Sequence, residues 1–325
     1  MQAFKNTFRA ATAALALIMA APVPAQEYPS RPVRLICPYA AGGLTDILAR
    51  TVAQELSRRL GQPVIVENRA GGGGIAGTDF AAKAAPDGYT LTLAGQGLAS
   101  VNTSLYPHLP YDTLRDFKPL SHIAKFSLVL VGHPRRAPES VSDLIHLARK
   151  NPDALSYGSA GNASTAHLAM EMFKEHNGLS LLHVPFKGES AALMELVAGR
   201  IDSMFATVGG SLALIRGGKL RAIAIPDDAR NPLLADVPTM REAGIEDFNV
   251  FGWYVVLAPA NVPQHVADRL GKEFMAIGSD PGFRKAMLER GMQAVGSSAA
   301  EAAQMIEKET GRWAALVKKT GIALD

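Results

Sequence analysis

Val33-Arg34-Leu35-Ile36-Cys37-Pro38-Tyr39-Ala40-Ala41-Gly42-Gly43-Leu44-Thr45-Asp46 carries a short apolar run into a turn with two adjacent glycines. Beyond it Leu48, Val52, Leu56 and Leu60 recur every four residues up to Gly61. This is a strand, a tight turn and one stripe of a helix in sequence, the opening of a parallel βα unit. The pattern continues outward with a strand at 64–66, a helix over 75–85 stopped by Pro86-Asp87-Gly88, and a strand at 89–93. A second series follows: strand 155–157, helix 164–176, strand 181–184, helix 190–198, strand 201–205 and strand 220–225. The apolar runs at 126–131 and 248–257 read as connecting strands, and the chain from Pro263 onward reads as helical. The expected fold is therefore α/β, two domains with an open, mostly parallel sheet flanked by helices in each and a cleft between them. Residues 26–126 with 248–325 make the first domain and 127–247 the second.

The chain has 325 residues, a length that accommodates two such cores. Residues 1–25 have the layout of an export signal: Lys5 and Arg9, an apolar run over 10–21, and Val23-Pro24-Ala25 before Gln26, where cleavage is expected. The run is too short to span a bilayer. The single cysteine, Cys37, has no partner for an internal disulfide and reads as a buried strand thiol. Without Lys5 and Arg9 the chain carries 31 basic against 30 acidic residues, a balance without the electrostatic footprint of a nucleic-acid or membrane-surface binder. Export into the periplasm is the expected location.

Two turns carry the chemistry. At residues 39–46 the glycines Gly42 and Gly43 permit close backbone approach, the helix start leaves unpaired N–H groups, Thr45 adds a hydroxyl and Asp46 fixes the loop or the first helical turn. A tight turn requiring glycine for its own sake is the alternative. A valine at Gly43 is expected to abolish anion binding. Gly158-Ser159-Ala160-Gly161-Asn162-Ala163-Ser164-Thr165-Ala166-His167 occupies the equivalent place in the second series, with His167 either orienting the loop or ligand or capping a carbonyl. Two such corners at the carboxyl ends of their strands face a common cleft in an open α/β arrangement and hold a small acid through N–H and hydroxyl groups. Gly72-Gly73-Gly74-Ile75-Ala76-Gly77 spells G-x-G-x-x-G, but the next strand runs into Ala94-Gly95-Gln96 without the acid a dinucleotide site needs. Gly73 and Gln96 are instead expected at the cleft floor. Ser159, His167 and Asp202 supply hydrolase residue types without a G-x-S-x-G elbow, and no zinc-type spacing of His or Cys occurs. No catalysis, metal or cofactor is expected.

Tyr28-Pro-Ser-Arg-Pro-Val-Arg, Pro38 to Asp46, Val66-Glu-Asn-Arg-Ala-Gly-Gly-Gly-Gly74, Ala85-Pro-Asp-Gly-Tyr89, Tyr157-Gly-Ser-Ala-Gly-Asn162, His183-Val-Pro-Phe-Lys-Gly188 and Asp236-Val-Pro-Thr239 together resemble the Bug-type extracytoplasmic solute receptors of tripartite tricarboxylate transporters. The resemblance implies a type II-like periplasmic binding protein that closes on a small carboxylate and delivers it, as a monomer, to integral membrane subunits. A receptor signalling to another partner, or a hydrolase using Ser159 and His167, is the alternative. The resemblance places Tyr39, Ala41, Gly42, Gly43, Thr45 and Asp46 in one gripping turn, Ser159, Ala160, Gly161, Asn162, Ser164, Thr165 and His167 in the other, and Lys187, Ala206 and Thr207 around them. Ala41, Ala163 and Ala191 stand where proline, glycine and proline are frequent in relatives, and Phe205-Ala206-Thr207 where many have Phe-Asp-Asn. Loss of that acid argues against a ligand with an amino group and favours a plain di- or tricarboxylate or an aromatic acid. Trp253 and Tyr254 either line the pocket or pack a hinge.

Overall fold

The computed structural model describes residues 28–321, so the expected leader and its cleavage site lie outside the described residues. The first apolar run forms β1 (Val33–Cys37), and the four-residue stripe builds α1 (Leu44–Leu60). Leu48, Val52 and Leu56 are fully buried, worth roughly 1.5 to 3 kcal/mol apiece, so the stripe pins α1 to the sheet. Gly61 ends the helix at φ 68°, its N–H returning to the Ser57 carbonyl. β2 (Val64–Asn68), α2 (Ile75–Ala82) and β3 (Thr90–Gly95) complete the first series, with β1 parallel to both neighbours. A wide helical turn at Gly97–Val101 leads into α3 (Asn102–Leu105), followed by α4 (Thr113–Asp116).

β4 (Phe117–Gly132) is longer than its apolar core at 126–131 foretells. Pro119, Ser121, His122 and Lys125 interrupt the apolar pattern, and the pairing with β9 shifts register between Pro119 and Ser121 and again between His122 and Ala124. The second series is α5 (Val141–Lys150), β5 (Ser156–Ser159), α6 (Thr165–Asn177), β6 (Leu182–Pro185), α7 (Glu189–Val197), β7 (Ser203–Thr207), α8 (Val208–Arg216) and β8 (Arg221–Ala224). The chain returns through β9 (Phe251–Pro259) and ends in α9 (Gln264–Ser279), α10 (Pro281–Leu288), β10 (Met292–Ala294) and α11 (Ala299–Thr320).

The strands form one path, β2-β1-β3-β9-β4-β7-β5-β6, with β10 and β8 also on β4. The outer strands are parallel, whereas β9 and β4 run antiparallel to their neighbours at the centre. Along β4 the partner changes once: Phe117 through Ser127 pair with β9, and Leu128 through Gly132 with β7. The sheet thus has two halves that share a single strand, and the carboxyl ends of β1 and β5 lie one in each half.

Candidate functional site

The first corner joins β1 to α1. Gly42 has φ 86°, a left-handed conformation that disfavours any side chain. Its N–H donates to the Asp46 carboxylate at 2.9 Å, which also accepts from Arg50 Nε at 3.0 Å and Asn68 Nδ2 at 2.9 Å. The Arg50 hydrogen bond, then that from Gly42, holds the buried Asp46 carboxyl down at about 2. Asp46 is therefore the brace of this turn. Gly43, by contrast, sits at φ −80° and ψ 172°, with Ala40 O at 3.9 Å from where a Cβ would stand. Any residue adopts that conformation, so a valine at Gly43 costs the fold little, as expected of a change aimed at the anion's approach, whereas one at Gly42 is strained. The helix start carries no side-chain cap, and the N–H groups of Leu44, Thr45 and Asp46 have no acceptor among the described residues.

The second corner joins β5 to α6. Ser164 caps the helix, its Oγ accepting from His167 N–H at 3.3 Å. His167 Nδ1 in turn accepts the Ala163 N–H at 3.1 Å, a contact that orients the loop. Ala163 has φ 58°, so a residue with a Cβ is held in the left-handed region and strained there. Gly161 N–H donates to Ser159 Oγ at 3.2 Å, leaving Asn162, Thr165 and Ala166 N–H free of acceptors among the described residues.

Both corners open on one cavity of about 390 Å³. Of the residues expected from sequence, it is lined by Tyr39, Thr45, Gly73, Gln96, Ala160, Asn162, Ser164, Thr165 and Thr207. Thr45 Oγ1 donates to the Tyr254 hydroxyl at 3.1 Å. Gln96 spans the sheet halves, its Nε2 donating to Glu309 at 3.0 Å and its Oε1 accepting from Thr165 Oγ1 at 3.4 Å. Trp253 and Tyr254 both line the cavity, Trp253 with an indole N–H that has no partner among the described residues. Burial lifts the Tyr254 phenol to about 12, so it remains a neutral donor.

The other expected residues lie outside the lining. Ala41, Gly42 and Gly43 form the exposed back of the first turn, Lys187 points to solvent, and Gly161 supports its loop. Ala206 is fully buried in the apolar core beneath α7. Asp46 and His167 brace rather than line. Ser159 is also fully buried, and its hydroxyl lies 2.7 Å from His183 Nε2, not from His167. Asp202 is occupied elsewhere, accepting from Ser156 N–H and Oγ at 2.9 Å. The three residues of the hydrolase alternative are thus not assembled. Tyr157, His183 and His167 stack instead, His167 and His183 with centroids 4.1 Å apart. Glycines 74 and 77 of the G-x-G-x-x-G match serve packing, since a Cβ at Gly77 would stand 2.5 Å from Arg69 O.

Asn102, Tyr106, Phe126, Leu128 and Glu189 also line the cavity and carried no sequence signal. Glu189 was reachable in principle: it follows β6, and ligand sites of open α/β sheets gather at the carboxyl ends of strands.

Comparison with known proteins gives the class. The model of the tripartite tricarboxylate transporter family receptor matches residues 48–322, and the chain belongs to that family. Its relatives include BugT of Bordetella pertussis (strain Tohama I), 36% identical over 307 residues that cover 94% of each chain. Among solved structures it is similar to the periplasmic binding protein BugD, with 34% identity and a TM-score of 0.78 over 91% of this chain and 99% of that one. It is likewise similar to R. palustris Rpa4515, described with adipate, with 33% identity and a TM-score of 0.82 over 91% and 99%. The fold is that of these α/β binding proteins, and the chain is a solute-binding receptor rather than an enzyme.

Proposed function

We propose that this receptor captures a small organic carboxylate between the two sheet halves in the periplasm and presents it to the membrane subunits of a tripartite tricarboxylate-type transporter. One observation carries the reading: two helix starts with unpaired N–H groups, one from each half, line the same cavity. Among the described residues no Lys, Arg or His lines it, so backbone N–H and the hydroxyls of Ser164 and Tyr254 are the donors for an anion, with Thr45 and Thr165 able to join only by giving up their bonds to Tyr254 and Gln96. Adipate in the similar structure supports the ligand class. The halves act as domains 26–126 with 248–325 and 127–247, bending where β4 changes partner between Ser127 and Leu128. Closure requires the ligand to touch both halves, because equal affinity for open and closed forms shifts neither.

Calorimetry of the purified protein against small carboxylic acids tests this. One-to-one binding heat without product formation is expected; absence of binding to every acid, or steady turnover, contradicts it. Deletion of the membrane subunits is expected to abolish uptake of the bound acid, and persistent uptake would assign the receptor another partner.

A further inference from the structure

Glu189 opens α7 at the corner after β6, and its carboxylate turns toward the corner after β7. Thr207 N–H donates to one carboxylate oxygen and Thr207 Oγ1 to the other at 2.9 Å. The side chain stands in the wall between the main cavity and a shallower one lined by Leu44, Ile47, Phe126 and Arg290. Among the described residues no Lys, Arg or His nitrogen comes within 4.0 Å of it. Among the described residues lining the main cavity, Glu189 is the only one with a carboxyl, amine or guanidinium group. Burial raises its carboxyl above the usual carboxylate range, the two Thr207 bonds offsetting part of that, and an ammonium beside it would favour the ionised form.

A carboxylate oxygen accepts more than one hydrogen bond, so Thr207 leaves acceptor capacity on Glu189. A second ligand carboxylate reaching this wall meets like charge in a poorly hydrated place; an ammonium meets an acceptor that lacks a cation. We propose that Glu189 sets the ligand class: the cleft prefers a carboxylate that also carries an ammonium group over a dicarboxylate of the same length. This rests on the carboxylate-receptor function proposed above and narrows it. It also reverses the expectation drawn from Phe205-Ala206-Thr207. Position 206 is sealed in the core, and residue 189 supplies an acid from the neighbouring corner instead.

Length-matched pairs test the assignment: adipate against 6-aminohexanoate and succinate against 4-aminobutanoate, titrated into wild type and Glu189→Gln. Glutamine retains an acceptor for the Thr207 N–H and a partner for its hydroxyl, so the melting temperature serves as a check that the corner is intact. Wild type is expected to favour the amino acid of at least one pair tenfold or more, and Glu189→Gln to reduce that ratio at least tenfold. A wild-type preference for the dicarboxylates overturns the proposal whether or not the variant folds. So does an unchanged ratio in a folded Glu189→Gln, and both results leave the carboxylate reading standing. Failure of all four compounds to bind wild type overturns this proposal, while the carboxylate reading falls only if the wider set of acids fails as well.

Discussion

The two corners solve one problem with different chemistry. In each, the residue four positions after a turn N–H reaches back to accept it: Asp46 from Gly42 in the first, His167 from Ala163 in the second. The first places glycine at its left-handed position and a carboxylate brace on a helix start without a cap. The second places alanine there, a neutral imidazole brace and a serine cap. The first turn is therefore the less strained, and the second offers more hydroxyls. Equal sequence position does not imply equal bracing, and the two ends of the cleft differ in it.

The largest expected effect separates those ends. Ser164→Ala with Thr165→Ala removes the hydroxyl donors of the second corner and is expected to weaken ligand binding by about 1 to 3 kcal/mol in calorimetry. Loss of the Ser164 cap adds about 1 kcal/mol of destabilisation. Unchanged affinity would place the ligand elsewhere. Next, Gly42→Val forces a branched residue to φ 86° and is expected to cost about 1 to 3 kcal/mol of stability, while Gly43→Val stays within about 0.5 kcal/mol. Urea unfolding of both decides, and equal losses would refute the division of labour. Ala163→Gly relieves the corresponding strain in the second corner and is expected to raise stability by about 1 kcal/mol.

The braces also separate by pH. Burial pushes His167 below its usual 6.5, and burial followed by the His167 charge pushes its stacking partner His183 to about 4. Tyr157, Glu171 and Lys174 face the same cluster. The unfolded chain thus takes up protons more readily, and stability contributed by the neutral imidazoles falls as pH drops through 6.5 toward 4. Asp46 has the depressed carboxyl, so its contribution is whole above 3.8 and is lost only as pH approaches about 2. Amide hydrogen exchange corrected for intrinsic rate is expected to show Ala163 N–H losing protection as pH falls below 6.5 while Gly42 N–H keeps it down to below 3.8. Simultaneous loss would mean the corners do not open independently.

Much of this was legible because it is local. β1, the glycine turn and the stripe of α1 occupy consecutive residues, and both corners follow from their strand-to-helix position. Backbone dihedrals are not written in residue names, so the sequence does not tell that, of the adjacent glycines 42 and 43, only Gly42 holds the left-handed angle. β4 was read too short because its first half mixes polar residues into a buried strand that passes between packed helices and β9. Glu189 escaped notice because its importance comes from Thr207, 18 residues away and brought beside it only by folding.

The central claim is that one carboxylate engages both corners at once. The direct measurement is a titration of isotope-labelled protein with adipate or 6-aminohexanoate, whichever binds more tightly, following the amide resonances of Leu44 and Thr45 alongside those of Thr165 and Ala166. All four are expected to shift along a single binding curve, and movement confined to one corner, or to neither, would contradict the account.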